Sequence, residues 1–392
     1  MLTRLVLATA SMNVAMAVTS AMSTLVVADR LNVGASGLPN TAAVLGTAAG
    51  ALAVGRLTDR LGRAGALRLG YATAAVGGGF ALFAAAGAWL GWLFVGMAML
   101  GAGNASALLS RYAAAELAKP DRRTTAMGTV VGGGAAGAVL GPLLLEPARH
   151  LGLGTAAGPF VVATVAAAIA CAVTFGLRNG EPERESPTRL EGTQTWGVRV
   201  GGVAMLVTQL VMVLFMTAVP IHASQHGQGL TQLGVMLSIH ILGMSALAPL
   251  TGWWIDRAGP RPAMLCGLLL LSLAGMLMAF GHAFVVALFV LGYGWNLCYL
   301  GGSAVVFRSV PSHVSRSTVE SALEAVAWGA SALATATSTW LFAIGGFGLP
   351  AALSLFVIVG AFALILAKNR RNSSCGQQDP TSTTSPAART TT

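Results

Sequence analysis

The chain has 392 residues, of which 55% are hydrophobic and only 9% charged, against roughly 25% charged in a soluble domain. This composition excludes a water-soluble globular protein, and apolar stretches of about 20 residues recurring along nearly the whole chain point to a polytopic membrane protein. A net charge of +10 would suggest nucleic acid in a soluble chain, but here the basic residues fill the short breaks between apolar stretches, where they orient membrane helices.

Twelve apolar segments are expected, at about 4–28, 37–55, 66–88, 91–111, 124–145, 156–177, 197–220, 229–252, 262–281, 284–307, 317–344 and 349–367. With the N-terminus cytoplasmic and the helices alternating, only Arg30 and Arg149 of the 23 Lys and Arg fall outside. Both termini are therefore expected in the cytoplasm. The first segment is longer than a signal-peptide core and reads as an uncleaved helix. Cys171, Cys266, Cys298 and Cys375 lack metal-binding or paired spacing, so no metal, disulfide or cofactor is expected. Two lysines against 21 arginines, with abundant Ala and Gly, suggest a GC-rich bacterium and hence its inner membrane.

In chain order, the first segment carries Asn13 near its middle, and the second ends in Gly55-Arg-Leu-Thr-Asp-Arg-Leu-Gly-Arg63. About 197 residues later comes Gly252-Trp-Trp-Ile-Asp-Arg-Ala-Gly-Pro-Arg261, so the chain is an internal duplication. The loop pattern G-x-L-x-D-R-x-G-R between a second and a third apolar segment resembles the major facilitator superfamily of secondary transporters. The resemblance implies an all-α membrane protein with twelve transmembrane helices in two pseudo-symmetric six-helix bundles. Residues 1–177 and 197–367 would form the bundles, 178–196 a cytoplasmic linker and 368–392 a disordered tail. It also implies a gate at Gly55, Asp59, Arg60, Gly62 and Arg63. Asp256 and Arg257 keep the pattern in the second copy, where Pro260 interrupts it.

Gly77-Gly-Gly79 in the third segment reads as helix packing, since glycines let backbones approach closely. The fourth carries Asn104, and Arg111 is expected at its cytoplasmic end; many proton-driven members of the superfamily bury an arginine within this helix, but none occurs between Trp92 and Ser110. In the fifth, Gly137-Ala-Val-Leu-Gly-Pro142 is similar to the signature of the superfamily's exporters, which implies export; Gly137 and Gly141 would give a close helix contact and Pro142 a kink.

Gln209 stands 196 residues after Asn13, and Asn296 lies in a Gly-x-Gly-x-Asn stretch beside Trp295. In the superfamily the first, fourth, seventh and tenth helices line the cavity, so Asn13, Asn104, Gln209 and Asn296 are its expected polar lining. The alternative is interhelical hydrogen bonding. Tyr293 and Tyr299, with Trp295, would add aromatic surface. The segment 212–256 looks like a group of actinobacterial permeases. His240 in the eighth helix is either a proton or substrate group or a packing residue. Glu320 and Glu324 share one face of the eleventh, with Glu320 expected near the cytoplasmic boundary, solvated or meeting Arg60 or Arg63. Glu324 lies deeper, where a charge is costly, and is either a proton carrier or part of the gate.

No G-x-x-x-x-G-K-[ST] or H-E-x-x-H occurs, so neither a nucleotide-driven pump nor an enzyme is expected. The reading is proton-coupled efflux of a small organic molecule, drug or metabolite. The alternatives are proton-coupled uptake and a transport-dead sensor. The expected partners are substrate, protons and lipid, without nucleic acid or nucleotide.

Overall fold

The computed structural model describes residues 1–32, 35–151, 156–177, 195–225, 230–281, 283–311 and 314–374. The linker at 178–194, Cys375 and the tail from 375 onward lie outside the described residues. Thirteen α-helices occur among those described: α1 Leu2–Arg30, α2 Leu38–Ala85, α3 Gly91–Leu117, α4 Arg123–Leu143, α5 Leu145–Arg149, α6 Ala157–Thr174, α7 Trp196–Gln225, α8 Leu230–Ser245, α9 Ala248–Ala258, α10 Pro260–Ala279, α11 Phe284–Ser309, α12 Arg316–Gly345 and α13 Gly348–Ser374. The described residues contain no strand. Helix α13 continues past the expected boundary at 367.

These helices make twelve crossings. Helix α2 has 48 residues, more than twice the roughly 20 that one crossing needs, and its two spans join at Gly62. Helices α8 and α9 share one span, and α5 is too short to cross. Helix α12, with 30 residues, is long enough to cross and carries Glu320 and Glu324. The remaining long helices cross once each. The fold is therefore two pseudo-symmetric six-helix bundles.

The duplication is visible in the backbone. Gly62 has φ 72° and ψ 164°, and Gly259, one repeat later, has φ 85° and ψ 163°. That region is essentially open to glycine alone. Each glycine reverses the chain between two spans with no intervening loop. Pro260, which breaks the motif in sequence, occupies the first position of α10, where a missing N–H costs nothing and φ is already helical.

Small residues bring the helices together. A Cβ on Gly137 would strike the Ala10 carbonyl of α1, and one on Gly141 would meet Ala17, so α1 and α4 cross backbone to backbone. Without a hydrophobic drive between helices in lipid, such van der Waals contact is a main source of cohesion. Pro142 is the penultimate residue of α4 and stands at the end of that helix. Arg68 donates to the Thr174 carbonyl and Arg4 lies against Gly176. The start of the chain and the end of the first bundle thus share the face that carries the Asp59 loop, termed here the loop face. On the opposite face Arg30 donates to the carbonyls of Ala84 and Ala85, at 2.8 and 3.0 Å, at the end of α2.

Gly62→Ala is expected to lower the thermal midpoint of the detergent-solubilised protein, because alanine in that conformation costs about 1–3 kcal/mol. Gly79→Ala, where a Cβ would meet nothing within 4 Å, should leave the midpoint unchanged or raise it. Equal midpoints for the two variants would contradict this.

Candidate translocation site

The site has three layers, beginning at the loop face. Asp59 accepts hydrogen bonds from Ser315 Oγ at 2.7 Å, Ser317 Oγ at 2.6 Å and Thr318 Oγ1 at 3.1 Å. Its partners form the first turn of α12, in the other half. Asp256 does the reverse, accepting from the backbone N–H of Thr124 at 3.0 Å and Thr125 at 2.7 Å, at the start of α4. Arg308 supports it at 3.1 Å. Each carboxylate thus sits at a helix N-terminus of the opposite bundle, where the helix dipole favours negative charge, Asp256 on the backbone N–H groups and Asp59 on the hydroxyls of the first turn. Gly55 makes the approach possible, since a Cβ there would collide with the Ser321 side chain.

Arg63 reaches two carboxylates, Glu116 at 2.7 Å and Glu320 at 2.9 Å. Glu320 is fully buried, not solvated at the membrane boundary. Its partner is Arg63, one of the two arginines expected. Arg60 is exposed and stands apart from these bonds. Arg257 stacks over Trp253, 4.1 Å from its ring centroid.

Deeper between the bundles lies a buried ion pair. Arg111, expected at the end of its helix, is 2% exposed. Helix α3 runs on to Leu117, so Arg111 is well inside it. Its guanidinium pairs with Glu324 and also donates to the Leu108 carbonyl at 2.7 Å, Ser303 Oγ at 3.2 Å and Tyr112 Oη at 3.1 Å. Tyr299 Oη donates to both oxygens of Glu324, at 3.0 and 2.9 Å. Both charges are multiply hydrogen-bonded, as a buried pair requires.

Beside this pair a cavity of about 160 Å³ opens between the halves, lined in part by Asn13, Arg111, Ser245, Trp295, Asn296 and Tyr299. Two of the four expected amides, Asn13 and Asn296, line it directly. Gln209 stands behind the lining, accepting from Trp295 Nε1 at 2.9 Å and donating to Ser331 at 3.1 Å. Asn104 is buried on α3, one turn before Ala107 and Leu108, and is not among the lining residues. His240 is also outside the lining; its Nδ1 lies 3.0 Å from the Leu288 carbonyl, and Nε2 has no partner among the described residues.

Sequence reasoning missed Arg111 as a buried charge, Glu116 as a partner of Arg63, and Tyr299 as the hydroxyl on Glu324. The one available signal for Arg111 was that Tyr112-Ala-Ala-Ala115 continues a helical, uncharged run beyond it.

The family profile described as Major Facilitator Superfamily matches residues 5–200 and again 201–387. An uncharacterized MFS-type transporter of Bacillus subtilis, YdeG, is 33% identical over 299 residues, covering 70% of each chain. The riboflavin transporter RfnT of Brucella anthropi is 30% identical over 288 residues, 69% of this chain and 70% of that one. The multidrug resistance protein MdtL of Shewanella oneidensis is 31% identical over 116 residues, 29% of each chain. Among solved structures, the proton:xylose symporter XylE superposes with a TM-score of 0.74 at 16% identity, covering 94% of this chain and 95% of its own. With both halves matched by one profile, the chain belongs to the Major Facilitator Superfamily and is a secondary transporter, not an enzyme.

Proposed function

We propose that this transporter exports a small organic molecule in exchange for protons, by rocking its halves, 1–177 and 197–367, about the central cavity. The observation that carries this reading is the Arg111–Glu324 pair, which joins α3 of one half to α12 of the other directly beside the cavity. A proton on Glu324 cancels its charge and dissolves the tie to Arg111. Transporters of this kind place coupling and substrate groups near the midplane, at the interface between repeats, and that is where a charge change most affects the packing of the halves. His240, on the Leu288 carbonyl and outside the lining, is assigned to helix packing.

The Asp59 and Asp256 latches hold the loop face closed in this conformation. With that face cytoplasmic and the protein in a bacterial inner membrane, both termini inside, the cavity opens outward. Glu324 takes a proton there while substrate leaves. Opening of the latches then exposes the cavity to the cytoplasm, where the proton departs and substrate enters. Export is supported by the Gly137, Gly141 and Pro142 stretch and by similarity to the multidrug resistance protein. A small organic substrate is further supported by similarity to the riboflavin transporter.

In everted membrane vesicles with an imposed pH gradient, adding a transported compound should discharge the gradient through the wild type. Glu324→Gln, which cannot ionise, should abolish that discharge. A Glu324→Gln variant that still couples compound movement to the gradient would remove the carboxylate from its role, and compound-dependent gradient discharge only in right-side-out vesicles would reverse the direction to uptake.

The latches make a separate expectation. In a background with the four native cysteines replaced by serine, Asp59→Ala should raise maleimide labelling of Leu108→Cys from the loop face. Hydrogen bonds to a charged group contribute about 1.5–3 kcal/mol, so loss of this cap should shift the opening equilibrium by roughly 10- to 100-fold. An unchanged labelling rate would mean that Asp59 does not hold the face closed.

A further inference from the structure

The cavity's polar groups are not free to serve any ligand. Asn13 Nδ2 donates to the Gly134 carbonyl at 2.8 Å, and Asn296 Nδ2 donates to the Met244 carbonyl at 2.6 Å. A backbone carbonyl can only accept, so each side-chain amide must turn its NH₂ toward the protein and keep its Oδ1 away from that bond. Asn296 is 1% exposed, and its Oδ1 is buried without a partner among the described residues. An unpartnered buried acceptor on a cavity wall is costly until a donor meets it.

The charged and indole donors are already engaged. Arg111 spends its guanidinium on Glu324, Ser303, Tyr112 and the Leu108 carbonyl, and Glu324 balances its charge. Trp295 Nε1 is held by Gln209, and the indole stacks on Tyr299 with centroids 4.4 Å apart and planes 16° from parallel. The indole is thereby fixed as a flat surface before any ligand arrives. At about 160 Å³, the cavity is smaller than the roughly 300–1,000 Å³ that holds a drug-sized ligand.

Resting on the reading of this cavity as the transport site, we infer that its ligand is a compact, uncharged, planar heteroaromatic ring bearing N–H donors. The ring stacks on Trp295, and the N–H groups donate to Oδ1 of Asn296 and Asn13. An anion would find hydroxyls such as Ser245 but no net positive charge, because Glu324 already balances Arg111. An organic cation would meet the acceptors but no free counter-charge, because Glu324 is held by Arg111 and Tyr299.

The test uses the purified full chain in lipid nanodiscs and tryptophan-fluorescence titration. Theobromine is an uncharged bicyclic ring with one imide N–H. Caffeine is the same ring with that hydrogen replaced by methyl. Benzoate and tetramethylammonium serve as anion and cation. The wild type should bind theobromine about tenfold or more tightly than caffeine, since the methylated ring leaves a buried acceptor unpaired. Asn296→Leu should erase the difference, while Trp295→Phe, which keeps an aromatic face, should retain it in a calorimetric titration. Thermal midpoints close to wild type establish that both variants are folded.

Equal binding of the two xanthines, preference for benzoate or tetramethylammonium, or no saturable theobromine binding would overturn the ligand class. If Glu324-dependent gradient discharge by other compounds persisted alongside any of these, the transport reading would stand without it. Theobromine binding that survived maleimide modification of Asn13→Cys, in the background lacking native cysteines, would instead place the ring outside this cavity.

Discussion

Arg111 and Glu324 are opposite charges held at the same depth by two different halves of the molecule, and the rest of the interface is built around them. Removing two ions from water costs several kcal/mol each, and their attraction offsets that cost only when the geometry is good and the remaining lone pairs and protons are satisfied. Here they are satisfied, by Tyr299 on the carboxylate and by Ser303, Tyr112 and the Leu108 carbonyl on the guanidinium. The consequence is mechanical. Separating α3 from α12 at this level strands an uncompensated charge, which costs about 3–5 kcal/mol, unless one partner is first neutralised. The Asp59 contact at the loop face is of a different kind, since Asp59 is exposed and its opening trades protein hydroxyls for water. On the proposed reading, the deep pair makes separation conditional on neutralisation, and the latches hold the closed face.

The duplication explains why the two latches are alike and why they are not identical. Asp59 and Asp256 are one repeat apart, as are Gly62 and Gly259, and each carboxylate crosses to a helix N-terminus of the opposite bundle. One repeat after Arg63, however, stands Pro260. The second copy therefore lacks a guanidinium at the position that binds Glu116 and Glu320 in the first. Arg308 supplies charge to Asp256 instead.

These relations also mark what could be read from the chain alone. The spans, the repeat and the glycine reversals are encoded locally, in apolar run length and in Gly and Asp at fixed offsets, and the structure places them close to where those patterns fall. Arg111 was misjudged because a charge is the usual sign that a span has ended. Only its partner 213 residues away makes it tolerable inside, and pairing across the duplication has no local signature. Asn104 and Gln209, two of the four amides, fall outside the cavity lining for a different reason. Helix position brings all four toward the axis, but whether an amide faces the cavity or is tied behind it depends on neighbours such as Ser331 for Gln209 and Met244 for Asn296. Such neighbours are set by packing, not by spacing.

Tyr299 links the two parts of the site. Its ring stacks on Trp295, which faces the cavity, while its hydroxyl donates to Glu324. A hydroxyl can donate its single proton only to an acceptor, so a carboxylate that has itself taken a proton competes as a donor toward the same partner. On the proposed reading, protonation of Glu324 therefore disturbs the Tyr299 hydroxyl at the moment it weakens the tie to Arg111. The ring that carries that hydroxyl is half of the stacked aromatic pair. Proton and ligand then need no long relay to sense one another, because they bear on opposite ends of one rigid side chain. On that reading, the arrangement favours exclusion of one by the other over simultaneous occupancy, and such exclusion is the thermodynamic requirement of exchange.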